Sequence, residues 1–203
     1  MIVEVLEKVE ERLYSIEEYF EVEEKSNTKH EFRNGKIVAM PGGTKNHTTI
    51  LENVFYTLKT SVNKKNYKVN GSEQTVFIPS FNQVLYPDAC VTAKPRLFAD
   101  NQRAILNPTL IVEVLSDSSW RYDRGEKFRK YETLASLQEY VLIEQDIPIV
   151  DVYFKSDKGW HFKSYRGLEE RVQLKSINCE LKMADIYEEV EDLKPPQLNM
   201  DLG

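Results

Sequence analysis

The chain has 203 residues, 41% of them hydrophobic and 30% charged, which is the balance of one globular domain rather than of a disordered protein. Its 27 basic and 33 acidic residues give a formal charge of −6, which argues against a protein that coats nucleic acid through bulk electrostatics. No apolar run approaches the ~20 residues of a membrane-spanning helix, and no signal peptide is visible. The two cysteines have neither disulfide-framework nor metal-ligand spacing. We therefore expect a cytoplasmic protein without membrane contact.

The first half of the chain predicts a helix, a hairpin, a second helix and several strands. Ser15-Ile16-Glu17-Glu18 matches a capping box, which predicts a short first helix. The pair Asn34-Gly35 lies between alternating apolar positions and is a strong signal for a hairpin over 30–39. Apolar residues at intervals of three to four predict an amphipathic helix over 44–62. Strands are then predicted at 67–69, 75–78, 84–92 and 110–115.

The second half predicts a helix over 124–135, a strand over 139–143, a hairpin with strands at 149–153 and 160–165, and a closing helix over 181–190. This order predicts an α/β (α+β) fold, in which one mixed β-sheet is flanked by helices and elaborated by hairpins in its N-terminal and C-terminal parts. We expect an N-terminal extension at 1–14, the folded domain at 15–193 and a loose tail at 194–203.

Two carboxylates fall inside runs that otherwise have the character of buried strands. Asp88 follows Pro87 and precedes Ala89-Cys90-Val91, and Glu113 interrupts the apolar run 110–115. A buried carboxylate costs several kcal/mol unless it is paired, protonated or bound to a metal. Two such acids at neighbouring strand ends would make an anionic pocket suited to Mg²⁺, or to Mn²⁺ in its place. That is the chemistry of metal-assisted phosphodiester hydrolysis.

Each acid also has a simpler interpretation. A single aspartate at a strand edge commonly points to water, and this holds for Asp88. Glu113 lies in a near-continuous apolar run of the kind that forms a central strand covered on both faces. We therefore expect Glu113 to face the core or a pocket, and its combination with Asp88 favours a functional site.

The spacing Asp123-x-x-x-Lys127-x-x-x-Tyr131 puts three side chains on one face of a helix. The simpler interpretation is a surface ion pair worth ~0.3–0.5 kcal/mol. The functional interpretation is that this helix returns Lys127 to the two carboxylates, where its charge would orient a water molecule or stabilise a phosphate. Spacing alone favours the surface pair.

Residues 121–130 are locally basic, and Arg121 and Arg124 are candidate contacts to a substrate phosphate. His47, near the start of the second helix, is a further candidate, although a single histidine in that position is more often structural. The sequence has no P-loop, Gly-x-Ser-x-Gly, Gly-x-Gly-x-x-Gly or zinc-ligand pattern. This argues against most kinases, serine hydrolases, dinucleotide enzymes and zinc hydrolases.

Taken together, these patterns resemble the Uma-type restriction endonucleases, which belong to the PD-(D/E)XK nuclease superfamily. The resemblance covers residues 15–165 and is specific as a combination, although each motif alone is weak. The matching segments are Glu31 with Asn34-Gly35-Lys36-Ile37, His47, Tyr86-Pro87-Asp88, Pro108 to Ser116 with Glu113, Asp123-x-x-x-Lys127-x-x-x-Tyr131, and Leu137 to Ile143.

The resemblance implies a restriction-endonuclease-like core and Mg²⁺-dependent cleavage of DNA. It implies Asp88 and Glu113 as the metal-binding acids and Glu31 as a third acid of the site. The superfamily signature has a lysine two residues after the second acid, and here that position is Leu115. Members of this family supply the lysine from the next helix, which implies Lys127.

Two other functions remain open. The first is a catalytically weak or inactive nuclease-fold module that binds DNA or protein, which the leucine at position 115 and the acidic net charge favour. The second is a metal-dependent hydrolase of another phosphate ester. The intact pair of acids and the available Lys127 favour the endonuclease.

A homodimer is also expected. Cleavage of both strands of a duplex with one site per chain most simply uses two chains related by a two-fold axis. The aromatic hairpin over 149–165 is the candidate contact surface, since an isolated hairpin needs something to pack on.

Overall fold

The computed structural model describes residues 12–94, 97–98, 103–117 and 119–196. The helices within these residues are α1 (Ile16–Lys25), α2 (Lys45–Ser61), α3 (Phe128–Tyr131) and α4 (Met183–Ile186), with a π-helix (Tyr122–Lys127) leading directly into α3. The strands are β1 (His30–Arg33), β2 (Lys36–Ala39), β3 (Lys68–Asn70), β4 (Thr75–Ile78), β5 (Gln83–Leu85), β6 (Ala89–Thr92), β7 (Leu97–Phe98), β8 (Ala104–Ile105), β9 (Leu110–Leu115), β10 (Glu139–Glu144), β11 (Ile149–Ser156), β12 (Gly159–Arg166), β13 (Arg171–Leu174) and β14 (Cys179–Lys182). Short 3₁₀ turns span Pro79–Phe81 and Lys175–Ile177.

The strands form two six-stranded sheets and a separate hairpin. The first sheet has the order β2-β1-β5-β4-β8-β7, the second has the order β12-β11-β10-β9-β6-β3, and β13 pairs with β14. Each large sheet is mixed, since β4 runs parallel to β8 and β9 runs parallel to β10. The predicted mixed α/β class is therefore confirmed, whereas the prediction of one continuous sheet is wrong.

The two sheets separate at a proline. The predicted strand over 84–92 is divided into β5, which pairs with β1 and β4, and β6, which pairs with β3 and β9. Pro87 has no backbone N–H to donate to a ladder, so the chain leaves the first sheet at Tyr86 and enters the second after Asp88. Asp88 therefore lies where the two sheets meet.

The second sheet is covered on both faces. Ile50, Val54 and Leu58 of α2 join a core with Val91 and Val112 on one face. The opposite face carries Ile111, Leu115, Tyr140 and Leu142, which pack with Tyr131 of α3 and with part of the first sheet. Because side chains alternate along a strand, Glu113 lies on this second face, between Ile111 and Leu115.

Most local predictions from the first half of the chain are confirmed. Ser15 and Glu18 form a reciprocal capping box at the start of α1. Asn34 (φ 52°) and Gly35 (φ 84°) have the positive φ values of a tight hairpin turn between β1 and β2. The predicted strands at 75–78 and 110–115 match β4 and β9 residue for residue.

Two predictions in the second half are corrected. The helix predicted over 124–135 is a π-helix that tightens to α geometry only at Phe128. The closing helix predicted over 181–190 is wrong, because Leu181 belongs to β14 and pairs with Val172, and only Met183–Ile186 is helical. Cys179 and Leu181 are buried and alternate with the exposed residues Glu180 and Lys182, which is the spacing of a strand.

The predicted terminal segments lie largely outside the described residues, which begin at 12 and end at 196. Within them, Tyr14 donates its backbone N–H to Gly35 at the tip of the β1–β2 hairpin, and Lys194 donates its own to Asp146. None of the helices described is both long enough and apolar enough to cross a membrane.

Glu139 connects the central sheet to the β13–β14 hairpin. Its side chain is buried and accepts hydrogen bonds from the backbone N–H groups of Lys175 (2.8 Å) and Ser176 (3.1 Å) and from the Ser176 hydroxyl (2.6 Å). Burial raises the pKa of this carboxyl, and the hydrogen bonds with Ser176 and Lys175 oppose that rise. One carboxylate thus fixes the turn between two strands of the hairpin.

We predict that Glu139→Ala lowers the free energy of unfolding by about 2–4 kcal/mol, because it leaves the donors of Lys175 and Ser176 without an acceptor in a buried place. Urea denaturation would measure the change. Glu180→Ala, which removes an exposed carboxylate of the same hairpin, should leave the midpoint nearly unchanged. Equal midpoints for the two variants would contradict the role given to Glu139.

Candidate active site

The candidate site lies at the junction of the two sheets, where side chains from five elements converge. Glu31 comes from β1, Asp88 from the segment between β5 and β6, and Glu113 from β9. The π-helix contributes Asp123 and Lys127. His47 comes from the first turn of α2.

Asp88 and Glu113 lie beside each other on neighbouring strands, as expected. The pairing of Ala89 with Val112 in the β6–β9 ladder places Asp88 opposite Glu113, and Asp88 Oδ2 accepts a hydrogen bond from the backbone N–H of Val114 at 2.6 Å. Glu113 is 2% exposed, whereas the Asp88 side chain is 19% exposed. One acid is therefore buried and the other is partly exposed.

Lys127 lies inside this junction and not on the surface. Its Nζ is 2.7 Å from Glu113 Oε1 and 3.6 Å from Asp123 Oδ1, and it donates a hydrogen bond to the backbone carbonyl of Tyr86 at 3.3 Å. The pair with Asp123 suggested by the sequence spacing does exist, but both residues are buried. Lys127 thus brings to Glu113 the positive charge that the leucine at position 115 cannot supply.

Asp123 and Lys127 both lie on the π-helix, and both side chains are buried. A π-turn is wider than an α-turn, and such turns occur mostly as single insertions at functional sites. The widening leaves backbone carbonyls without their usual partners, and the carbonyl of Asp123 accepts a hydrogen bond from the Tyr140 hydroxyl at 2.9 Å. A side chain from β10 therefore stabilises the unusual helical geometry.

Glu31 occupies the first-sheet side of the junction. It is buried, and its Oε2 pairs with Arg33 through Nε (2.8 Å) and Nη2. Its Oε1 accepts the backbone N–H of Tyr86 at 3.3 Å, and its charge acts on Lys127. The two backbone groups of Tyr86 thus connect Glu31 with Lys127.

The electrostatics follow from an excess of carboxylates in a buried place. Burial alone would lower the pKa of Lys127, but the facing carboxylates, with Glu113 first and then Asp123, Glu31 and Asp88, raise it above its ordinary value. Lys127 is therefore an ammonium at any physiological pH. Burial, together with the charges of Asp123 and Asp88, raises the pKa of Glu113 well above its ordinary value despite the neighbouring Lys127.

His47 is connected to the acid pair through Asp88. Its Nε2 lies 3.3 Å from Asp88 Oδ2. Burial lowers the pKa of the imidazole, but the hydrogen bond and charge of Asp88, with a smaller contribution from Asp123, raise it overall. The cap of α2 is Thr44, whose hydroxyl accepts the backbone N–H of His47. The imidazole of His47 therefore does not cap the helix, and it faces Asp88 instead.

The two candidate arginines have different surroundings. Arg121 is exposed at the start of the π-helix. Arg124 is already paired with Glu144 (2.7 Å) and Asp151 (2.6 Å). The guanidinium of Arg124 therefore fastens the π-helix to β10 and β11, and its contact to a substrate phosphate stays a prediction.

Two residues of the site were not predicted from the sequence as part of it. The spacing in the sequence indicates Asp123 only as a partner of Lys127, because spacing alone does not show whether a helical face is buried. No motif in the sequence marks Arg33. The alternation of side chains along β1 was the signal that could have found it, since residues two apart share one face and Arg33 follows Glu31 at that interval.

The carboxylates of Asp88 and Glu113 are the oxygen ligands that the site offers to a divalent cation. Glu113 Oε1 is paired with the ammonium of Lys127 but accepts no hydrogen bond of regular geometry from a described residue. The contacts of Asp88 with Val114 and His47 both involve Oδ2. Among the described residues, no three His, Cys, Asp or Glu side chains form a metal-binding group. Two carboxylates are nonetheless sufficient for Mg²⁺, which keeps several waters and takes further oxygens from a bound phosphate. The residues present therefore fit Mg²⁺ and do not form an all-protein cage.

A protein of known structure has a similar fold. This chain resembles the crystal structure of a putative nuclease belonging to DUF820 from Anabaena variabilis ATCC 29413, with a TM-score of 0.68 and 16% sequence identity. The match covers 85% of this chain and 97% of that chain. At this identity the likeness shows the fold, and the predicted restriction-endonuclease-like class is confirmed.

Sequence comparison gives closer relatives. Two uncharacterized proteins from Synechocystis sp. match this chain over nearly their whole length. The protein slr1290 is 36% identical over 174 residues, which are 85% of this chain and 90% of the relative. The protein sll1609 is 33% identical over 164 residues, which are 80% of this chain and 93% of the relative. The family model described as "Uma2: Putative restriction endonuclease" matches residues 16–184, which include all the residues of the candidate site. The chain therefore belongs to the Uma2 family.

Proposed function

We propose that this protein is a Mg²⁺-dependent endonuclease that hydrolyses phosphodiester bonds of DNA. The observation that carries the proposal is the buried ammonium of Lys127, 2.7 Å from Glu113 Oε1 and on the same junction as Asp88. Two carboxylates can hold a metal ion, and an adjacent lysine can stabilise the charge that develops on a phosphate, so together they suit metal-assisted phosphodiester hydrolysis. Membership in the Uma2 family and the nuclease-like fold support the same conclusion.

Each residue would have a distinct role. Asp88 and Glu113 would hold Mg²⁺, which when bound polarises a phosphate oxygen and lowers the pKa of a coordinated water. Lys127 would orient the attacking water and stabilise the negative charge that develops on the phosphate. Asp123 and the carbonyl of Tyr86 hold the ammonium of Lys127 in position. His47 holds the carboxylate of Asp88 through its Oδ2.

The inactive binding module is the alternative function, and Leu115 was its main support in the sequence. In the structure, an ammonium reaches Glu113 from the π-helix instead of from β9. Burial of this many charged groups is costly unless they are paired, and a module that only binds DNA or protein has no need of them. The arrangement therefore favours the endonuclease.

We predict that Mg²⁺ raises the thermal midpoint of the protein. A ligand at 10–100 times its dissociation constant adds about 1.4–2.7 kcal/mol to stability when it binds only the folded state. Asp88→Asn should abolish the shift, because it removes one of two anionic ligands. Thermal denaturation with and without Mg²⁺ would measure both.

Asp185→Asn is the matched control for this experiment, since Asp185 is an exposed acid of α4, and it should keep the full shift. A wild-type protein whose midpoint does not respond to Mg²⁺ or Mn²⁺, or an Asp88→Asn variant with an undiminished response, would contradict the proposed metal site.

We predict that Lys127→Met reduces the rate of plasmid cleavage by roughly 10²–10³, the effect of removing one electrostatic stabiliser. It should also lower the stability of the metal-free protein, because Glu113 and Asp123 lose their counter-charge. Mg²⁺ should still raise the thermal midpoint, since Asp88 and Glu113 remain. Nicking assays and thermal denaturation would measure these effects separately.

Lys59→Met, which removes a lysine on the exposed face of α2, provides the control and should cleave at the wild-type rate. If Lys127→Met also cleaves at that rate, Lys127 has no catalytic role. In that case the cluster is structural, and the binding module becomes the better conclusion.

We also propose a homodimer through the β11–β12 hairpin. β12 is an edge strand of the second sheet, and its Phe162 is 54% exposed while its ring packs on Tyr153. Light scattering at high protein concentration should give twice the monomer mass, and Phe162→Ser should shift the equilibrium to monomer. A monomeric mass for the wild-type protein would rule out this interface.

A further inference from the structure

We infer that Arg33 is a phosphate-binding residue at the rim of the candidate active site, and that its ligand is a backbone phosphate of the DNA strand beside the phosphate that is cleaved. This inference rests on the proposed function. It adds a residue and a contact that neither the family match nor the metal site assigns.

The guanidinium of Arg33 is held in place on two sides. Its Nε and Nη2 both pair with Glu31 Oε2, and its Cζ lies 4.6 Å from the centroid of the Tyr122 ring. The Tyr122 ring is itself fixed by Lys130, which donates a hydrogen bond to the hydroxyl at 3.3 Å. Because these contacts fix the orientation of the guanidinium, little side-chain entropy remains to be lost when it binds a ligand.

One edge of this guanidinium remains open. Among the hydrogen bonds of the described residues, Nη1 of Arg33 has no acceptor, and the side chain is 35% exposed. If Arg33 served only to neutralise Glu31, the contacts of Nε and Nη2 would be sufficient. The open Nη1 edge is a fork of donors of the kind that recognises phosphate.

The position of Arg33 relative to the catalytic groups follows from its contacts. Glu31, which Arg33 holds, accepts the backbone N–H of Tyr86, and the carbonyl of Tyr86 accepts the ammonium of Lys127. Two residues, Glu31 and Tyr86, therefore connect Arg33 with Lys127 through an ion pair and two hydrogen bonds. Arg33 is the last residue of β1, next to the turn of the β1–β2 hairpin. Arg33 thus lies beside the catalytic groups without contacting them, and we assign it to a neighbouring phosphate and not to the cleaved one.

The charge of the site makes such a residue necessary. A DNA strand is a polyanion, and the junction presents more carboxylates than cations. Lys127 is buried and already faces Glu113 and Asp123, and Arg124 is paired with Glu144 and Asp151. Arg33 combines proximity to the site, partial exposure and an unoccupied donor edge.

The test is a measurement of DNA binding as a function of salt concentration, with Ca²⁺ in place of Mg²⁺ so that the duplex is not consumed. Fluorescence anisotropy with a labelled duplex should show about tenfold weaker binding for Arg33→Gln. The slope of log affinity against log salt should fall by about one, which is the effect of losing one phosphate contact. Arg33→Lys should keep the slope and lose only part of the affinity, because it keeps the charge but not the fork.

Arg103→Gln is the matched control. Arg103 also pairs with a glutamate, Glu24, at 2.8 Å and lies over an aromatic ring, that of Phe20. It immediately precedes β8, which β5 and β4 separate from β1. This variant should bind DNA with the wild-type affinity and slope.

The double variant Glu31→Gln/Arg33→Gln separates phosphate binding from charge neutralisation. It also covers the case in which Arg33→Gln alone folds poorly, because the double variant leaves no unpaired carboxylate buried at position 31. Persistent loss of affinity and slope in the double variant supports the phosphate contact. Recovery of both to wild-type values overturns it, as does an Arg33→Gln protein that binds like the wild type. A wild-type protein that binds no DNA overturns the proposed function as well, and is distinguishable because every variant then behaves alike.

Discussion

The site depends on one electrostatic constraint, which is the convergence of carboxylates on Lys127 in a place that excludes most water. Glu113, Asp123, Glu31 and Asp88 all act on this ammonium, and an isolated charge at such a depth would be strongly unfavourable. The pairing makes the burial of Lys127 tolerable, and the remaining negative charge is what the proposed Mg²⁺ would neutralise. Stability and the proposed chemistry therefore have the same physical origin.

The geometry that satisfies this constraint comes largely from the backbone. Pro87 ends the ladder of the first sheet, and the amide and carbonyl of Tyr86 then bond to Glu31 and Lys127, one from each side of the junction. Asp88 is fixed in turn by the backbone N–H of Val114 in β9. Main-chain groups of two residues, Tyr86 and Val114, thus contact three charged side chains of the site.

The sequence predicts the acids well and their surroundings poorly. Glu113 could be placed in a buried strand because five apolar residues flank it within β9, and the resemblance to a nuclease family paired it with Asp88. The burial of Lys127 could not be predicted from its spacing to Asp123, because the same spacing is common on exposed helices. What decides the outcome is how the π-helix packs against the junction of the two sheets, through contacts with residues distant in the sequence such as Glu113 and Tyr140.

The division into two sheets shows a second limit of sequence patterns. Hydrophobicity is continuous from Val84 to Val91, apart from the segment 86–88, so a single strand was the natural prediction. The effect of Pro87 on the pattern is small, but its effect on topology is large, since it sends β5 and β6 to different sheets. The N-terminal elements were predicted more accurately because their signals, the capping box at Ser15 and the turn at Asn34-Gly35, act over a few residues.

The wide separation of the site residues along the chain has a consequence for biosynthesis. The residues that meet at the junction extend from Glu31 in β1 to Lys127 at the end of the π-helix, and the Tyr140 that stabilises that helix comes later still. Contacts of such long range require the closure of long loops, which slows folding, and neither sheet alone carries the full set. A chain still emerging from the ribosome, or one that has partly unfolded, therefore has no assembled site. If the protein cleaves DNA, that activity is confined to the completed fold, and a misfolded copy is harmless to the genome of its own cell.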